Sequence, residues 1–118
     1  MTITISLHDE FKRQFKRLNK RYKSLKSDLV TLQTKLLENP FQGDDLGGGV
    51  RKIRMAISSK GKGKSGGARV LTLTVLVSGD ADVTLLTIYD KDEIDNVSNS
   101  YIEWLVSETR TRNESAGK

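Results

Sequence analysis

The sequence predicts an α+β domain in the order β-α-α-β-β-β-α, with helices packed on a largely antiparallel sheet. Three observations carry this. The first forty residues hold two apolar stripes at helical spacing. The middle switches to period two over three successive runs. The last segment returns to helical spacing, so strands and helices are largely segregated along the chain.

Taken in order, Ile3-Thr-Ile5 alternates and is β-branched, which predicts a short first strand over residues 2–6. Leu7, Phe11, Phe15 and Leu18 then form one helical face, with Lys12, Arg13, Lys16, Arg17 and Lys20 opposite. Leu25, Leu29, Leu32 and Leu36 form a second stripe, stopped by Glu38-Asn-Pro40. Residues 19–23 read as the bend between the two helices. FQGDDLGGGV has no periodicity and reads as a glycine-rich loop. Ile53, Met55 and Ile57 alternate with Lys52, Arg54 and Ala56. Arg69 to Val77 and Val83 to Tyr89 supply two more strands, turned at Ser78-Gly-Asp-Ala. Helical spacing resumes from Asp90. Ser100-Tyr-Ile-Glu103 resembles a capping box, and Ile102, Leu105, Val106 and Thr109 share a face.

A chain of 118 residues fits one domain, here residues 1–111, followed by a polar tail over 112–118. There is no cysteine, which excludes disulfides and thiolate metal sites and fits a reducing compartment. No apolar run approaches the ~20 residues of a membrane span. The N-terminus lacks a basic n-region and a long apolar h-region, so a cytoplasmic location is expected. Net charge is +5, which favours polyanionic partners, nucleic acid first.

The stretch SSKGKGKSGGARV, residues 58–70, contains G-x-G-x-x-G at Gly61, Gly63 and Gly66, and Gly63-Lys64-Ser65 resembles the end of a P-loop. Both nucleotide motifs require a helix after the glycines to receive phosphate at its N-terminus. Here a strand follows, and Ser58 stands where the first P-loop glycine belongs. The stretch reads instead as a hairpin loop from which Lys60, Lys62 and Lys64 project. Every charged residue from Arg51 to Arg69 is positive: Arg51, Lys52, Arg54, Lys60, Lys62, Lys64 and Arg69. Strand alternation puts Lys52 and Arg54 on the face opposite Ile53, Met55 and Ile57. Crowded like charges repel unless an anion neutralises them, and RNA or DNA phosphate is the obvious one.

Phosphodiester cleavage in RNA needs a base for the 2′-hydroxyl, charge stabilisation at phosphorus and a proton for the leaving 5′-oxygen. The single histidine, His8, stands far from the cluster and reads as a surface or capping residue. Asp90, Asp92, Glu93 and Asp95 show no metal-ligand spacing and read as helix-start charges, so neither metal nor cofactor is expected. A lysine crowded by cations can act as a base, and arginine can hold transition-state charge. Tyr89, beside Lys91, can orient RNA or stack on a base; the alternative is a strand-end aromatic packed on the last helix. Tyr101 and Trp104 read as core or partner-surface residues.

The segment GGGVRKIRMAISSKGKGKSGGARV, a hydrophobic hairpin, and then LLTIYDKDEI resemble the RelE/HigB-type toxins of bacterial toxin–antitoxin pairs over roughly residues 36–95. The resemblance implies a RelE-like fold and a small ribosome-dependent endoribonuclease that cuts mRNA in the A site. It also implies an antitoxin partner and contact with mRNA and ribosomal RNA. By that resemblance Lys52, Arg54, Arg69, Tyr89 and Lys91 are the catalytic set, with Lys52 or Lys91 as general base and Arg54 and Arg69 on the scissile phosphate. Lys60, Lys62 and Lys64 match the basic loop of the HigB-like branch and, with Arg51, are expected to bind RNA. Two other readings stand beside it: a ParE-type toxin that poisons gyrase without RNA chemistry, and a non-catalytic nucleic-acid-binding or decayed toxin domain.

Overall fold

The computed structural model describes residues 1–116, and the side chains of residues 1–113. The chain runs β1 (Ile3–Leu7), α1 (Asp9–Asn19), α2 (Leu25–Glu38), β2 (Asp44–Gly47), β3 (Val50–Met55), a 3-10 turn (Ser58–Lys60), β4 (Ala68–Val77), β5 (Asp80–Asp90) and α3 (Asn99–Ala116). The sheet order is β1-β5-β4-β3-β2, with β1 parallel to β5 and the other neighbours antiparallel. The α+β class is as predicted.

Each face of the sheet buries its own cluster. Phe11, Leu18, Leu25, Leu32 and Leu36 of α1 and α2 cover Ile53, Met55, Val70, Val83, Leu85 and Ile88. On the other face Leu105 of α3 meets Val50, Leu71, Leu73 and Leu86. Alternation along β3 therefore does what the period-two pattern requires: Ile53 and Met55 point to one side, Lys52 and Arg54 to the other. The helical stripes are also as read, with Phe11 and Leu18 buried on α1 and Leu105 and Thr109 buried on α3.

The local ends differ in instructive ways. Leu7 belongs to β1, and α1 starts two residues later, capped by His8, whose Nδ1 accepts from the Glu10 amide at 2.9 Å. His8 is thus a capping residue, though buried rather than on the surface. The glycine-rich loop contains a real strand, β2, which pairs Asp44 with Lys52 and Asp45 with Arg51. All its residues are exposed, so no apolar alternation marks it. The turn to β3 runs through Gly47, Gly48 and Gly49, all at positive φ, where a side chain is strained. Residues 91–98 are not helical: α3 begins at Asn99, and the capping serine is Ser98, whose Oγ accepts from the Tyr101 amide at 3.2 Å, rather than Ser100. The polar segment from residue 112 continues α3 as far as Ala116; residues 117–118 lie outside the described residues.

The loop between β3 and β4 is held against its neighbours rather than free. The buried Asp28 of α2 accepts from the Ser58 amide at 3.0 Å and from the Ser58 hydroxyl at 2.5 Å. At the other end of the loop, a Cβ on Gly67 would lie 2.2 Å from the Met55 carbonyl oxygen. Gly67→Ala must therefore push β3 and β4 apart at the point where they converge. We expect a loss of roughly 1–3 kcal/mol, as for other overpacked sites, measured by urea denaturation against Gly61→Ala, which meets no neighbour within 4 Å and is strained only by its positive φ.

Candidate nucleic-acid site

The antiparallel register collects the candidate residues. Arg54 on β3 stands opposite Arg69 on β4, and Arg69 opposite Tyr89 on β5. Directly paired residues share a sheet face, so these three side chains form one row across three strands, on the α3 side. Lys52 lies two residues along β3 on the same face, opposite Leu71. Lys91 follows β5, its amide donating to the Gly67 carbonyl at 3.1 Å. Asp95 marks the focus of the cluster. Its carboxyl is held below the ordinary carboxylate value chiefly by the Lys91 ammonium, which donates to it at 2.5 Å, and also by Lys52 and Arg69. The Lys52 ammonium donates to the Asn96 side-chain oxygen at 3.3 Å.

Within this set the side chains differ in what they have left to offer. Arg54 is exposed and makes no hydrogen bond or ion pair among the described residues. Lys52 is half-buried between two clefts: one of about 400 Å³ shared with Arg54, Lys64 and α2, and one beside α3 that also includes Asn96. Arg69 is buried and grips the loop that precedes it, donating to the carbonyls of Lys64 at 3.1 Å, Ala68 at 3.2 Å and Ser65 at 3.2 Å. A guanidinium has five N–H donors, so donors remain for a phosphate. Tyr89 is only 3% exposed, which favours the packed alternative over stacking on a base. It packs beside Ile94, Val97 and Tyr101 under residues 91–98, close to the alternative of a strand-end aromatic on the last helix. Its hydroxyl has no partner among the described residues, and burial pushes the phenol up, so it stays a neutral donor.

The basic loop divides in two. Lys64 reaches the cleft with Lys52 and Arg54, and Lys62 pairs with Asp92 at 3.2 Å while remaining exposed. Lys60 does not project. Its side chain is 7% exposed, and its ammonium donates to Asp90 at 2.5 Å, Asp92 at 2.9 Å and the Gly66 carbonyl at 3.1 Å. Arg51 is likewise diverted: it donates to the carbonyls of Phe41 and Gly43 and lies over the Phe41 ring, bracing the approach to β2. Assigning Lys60 and Arg51 to RNA from charge alone therefore conflicts with where their donors go.

Sequence reasoning missed Asp90, read as a helix-start charge. It is the last residue of β5, 0% exposed, and accepts from Lys60, from the Tyr22 hydroxyl at 2.5 Å and from the Asp92 amide at 3.0 Å. Burial alone would push its carboxyl up; hydrogen bonds from Lys60, then Tyr22, then the Asp92 amide outweigh it and hold the group below the ordinary value. Burial likewise works against the Lys60 ammonium, and its bonds to Asp90 and Asp92 outweigh that, leaving it raised. No linear signal links residues thirty positions apart. The one available hint was an acidic residue closing a strand that is otherwise apolar and aromatic. Among the described residues no group of histidines and carboxylates has metal-site geometry, and no helix is long and apolar enough to cross a membrane.

The two shifts set a pH window. Asp90 has a depressed value when folded, so its contribution is full above the ordinary carboxylate value of about 4 and fades as pH falls through the lowered one. Lys60 has a raised value, so the same pair is full below about 10.4 and fades as pH rises through it. Lys60→Met removes the closest cation from a buried carboxylate and leaves it the Arg21 guanidinium at 3.9 Å, a change that costs up to about 3–5 kcal/mol. Thermal denaturation across pH is expected to show the gap to wild type at full size between about pH 4 and 10, closing on both sides.

A family model described as the RelE toxin of the RelE/RelB toxin–antitoxin system matches residues 10–114. That span takes in α1, both hairpins, the cation row and nearly all of α3. The chain therefore belongs to the RelE toxin family, a toxin of a toxin–antitoxin system, and membership implies an antitoxin partner.

Proposed function

We propose that the protein is a metal-independent endoribonuclease that cuts mRNA in the ribosomal A site and so arrests translation. The observation that supports this best is the row Arg54–Arg69–Tyr89 in direct register, flanked by Lys52 and Lys91. Such a row suits a phosphodiester because the dianionic pentavalent phosphorus needs several preorganised donors at once. Arg54, with its donors uncommitted, binds the scissile phosphate from the strand edge, and the remaining Arg69 donors meet it from the floor. The Tyr89 hydroxyl is buried and without a partner among the described residues, so it reaches an RNA oxygen only when residues 91–98 are displaced.

The base takes the 2′-hydroxyl proton as that oxygen attacks phosphorus in line with the departing 5′-oxygen. The products are a 2′,3′-cyclic phosphate and a 5′-hydroxyl. Lys52 donates to the Asn96 oxygen and makes no direct ion pair among the described residues, whereas Lys91 is paired with Asp95. That contrast supports Lys52 as base and Lys91 as a phosphate contact or proton donor. Lys62 and Lys64, which stay exposed on the loop, supply further contacts to the RNA backbone, and the antitoxin silences the site by covering it. Placement in the HigB-like branch rests on the same basic loop.

Induced expression followed by primer extension on a translated mRNA tests the reading. Ribosome-dependent cuts within codons are expected; intact mRNA with DNA damage would point to a gyrase poison of the ParE type instead. Arg54→Ala removes an exposed side chain with no partner in the fold, so its melting temperature is expected to match wild type. Its cleavage rate is expected to fall by about 10²–10³, as for loss of one preorganised donor. Lys52→Ala is expected to lose about 10²–10⁴ in rate, as for loss of a general base. Full activity of folded Arg54→Ala would remove that residue from the phosphate site.

A further inference from the structure

We propose that Lys60 and Asp90 are positioning residues of the cationic site, a buried ion pair behind the sheet that fixes both the basic loop and the end of β5. The kinetic consequence rests on the nuclease reading above; the geometric claim does not.

Asp90 lies between Tyr89 and Lys91, and strand alternation sends its side chain to the opposite face of the sheet. There Tyr22, from the bend between α1 and α2, and Lys60, at the end of the 3-10 turn, clamp its two oxygens. The direction in which Tyr89 and Lys91 leave the strand is thus set from behind. Lys60 does a second job with the same ammonium. By donating to the Gly66 carbonyl it crosses the neck of the loop and closes it. The adjoining carbonyls then face outward in a fixed order: Lys64 and Ser65 receive Arg69, and Gly67 receives the Lys91 amide. Arg69 and Lys91 are therefore referred to one frame, and Lys60 is the side chain that joins its parts.

Loop chemistry makes this joint necessary. Gly61 and Gly63 stand at positive φ with no neighbour within 4 Å of a Cβ, so apolar packing does not hold the tip of that stretch. Asp28 anchors the entrance through Ser58, and Lys60 anchors the exit through Gly66. Removing the ammonium releases the exit, and with it the carbonyls that hold Arg69. A displacement of about 1 Å in a reacting group can cost on the order of 100-fold in rate while leaving diffuse phosphate attraction largely intact.

The decisive variant is the double substitution Lys60→Met with Asp90→Asn, which removes one charge of each sign and leaves no buried ion unpaired. Limited trypsin digestion reads the loop at Lys62 and Lys64, and single-turnover cleavage on mRNA-programmed ribosomes reads the site. The loop bonds are expected to be cut at least about tenfold faster than in wild type, since cleavage of a locally opened segment follows the population of the open form. The cleavage rate at saturating ribosome is expected to fall about 10- to 100-fold, with the half-saturating ribosome concentration unchanged. Lys60→Arg, which keeps an ammonium-like donor to Asp90 and Asp92, is expected to restore slow tryptic cutting and most of the rate. Unchanged tryptic protection in the double variant overturns the proposal, as does a rate loss that vanishes at saturating ribosome. If wild type itself makes no ribosome-dependent cut, the nuclease reading falls, and the tryptic comparison alone still decides whether the pair positions the loop.

Discussion

A carboxylate with no solvent exposure closes β5, and the arrangement around it depends on keeping that charge satisfied. An ion taken out of water loses several kcal/mol of hydration, which only close partners with good geometry return. Asp90 accepts from three, a lysine from the β3–β4 connection, a phenol from the α1–α2 bend and the amide of Asp92, and the Arg21 guanidinium stands 3.9 Å away. These partners come from parts of the chain that hydrophobic packing alone would leave loosely related. Around the pair the exposed residues add a second ring, with Arg17 and Arg21 both reaching Glu93. The helical bend, the basic loop and the strand end thus meet at one point, directly behind the cation row.

That arrangement also resolves the charge problem posed by a basic stretch with no acid in it. Part of the balance comes from the acidic run after β5: Asp90 and Asp92 take Lys60, Asp92 also takes Lys62, and Asp95 takes Lys91. Arg51 is turned toward Asp45 and the carbonyls near β2. What remains uncompensated is narrower than the sequence implies, namely Arg54, Lys52, Lys64 and the spare donors of Arg69. What is left is a compact patch rather than a broad basic surface.

The parts legible in the sequence are those written by burial. Ile53 and Met55 alternate because one face of β3 is covered by α1 and α2, and Leu25, Leu32 and Leu36 recur because one side of α2 lies on that sheet. Lys52 and Arg54 could be placed on a common face by the same alternation. β2 was illegible because none of its residues is buried, so it leaves no apolar trace. The irregular stretch 91–98 looked helical because Ile94 and Val97 fall at helix-compatible spacing, although they cover Tyr89 and the edge of the α3 cluster instead. The fates of Lys60 and Arg51 were illegible for a different reason: an ammonium on a loop is chemically the same in sequence whether it faces water or a carboxylate thirty residues away.

The separation between structural and reactive cations follows from where each sits on the fold. Lys60, beside Gly61, turns inward behind the sheet and finds Asp90, while Lys62 and Lys64 stay exposed. Arg54, by contrast, is fixed by strand geometry to the face away from the α1–α2 core and, beyond the last β2 pairing at Lys52, on an edge that no further strand covers. It has no route to an internal partner and stays in water with its donors uncommitted. Edge position and side-chain parity, not local charge density, decide which member of the basic cluster is available to a substrate. By the same logic the neighbouring Arg69, one strand further in, is half claimed by loop carbonyls, so the row grades from committed donors at its centre to free donors at its rim.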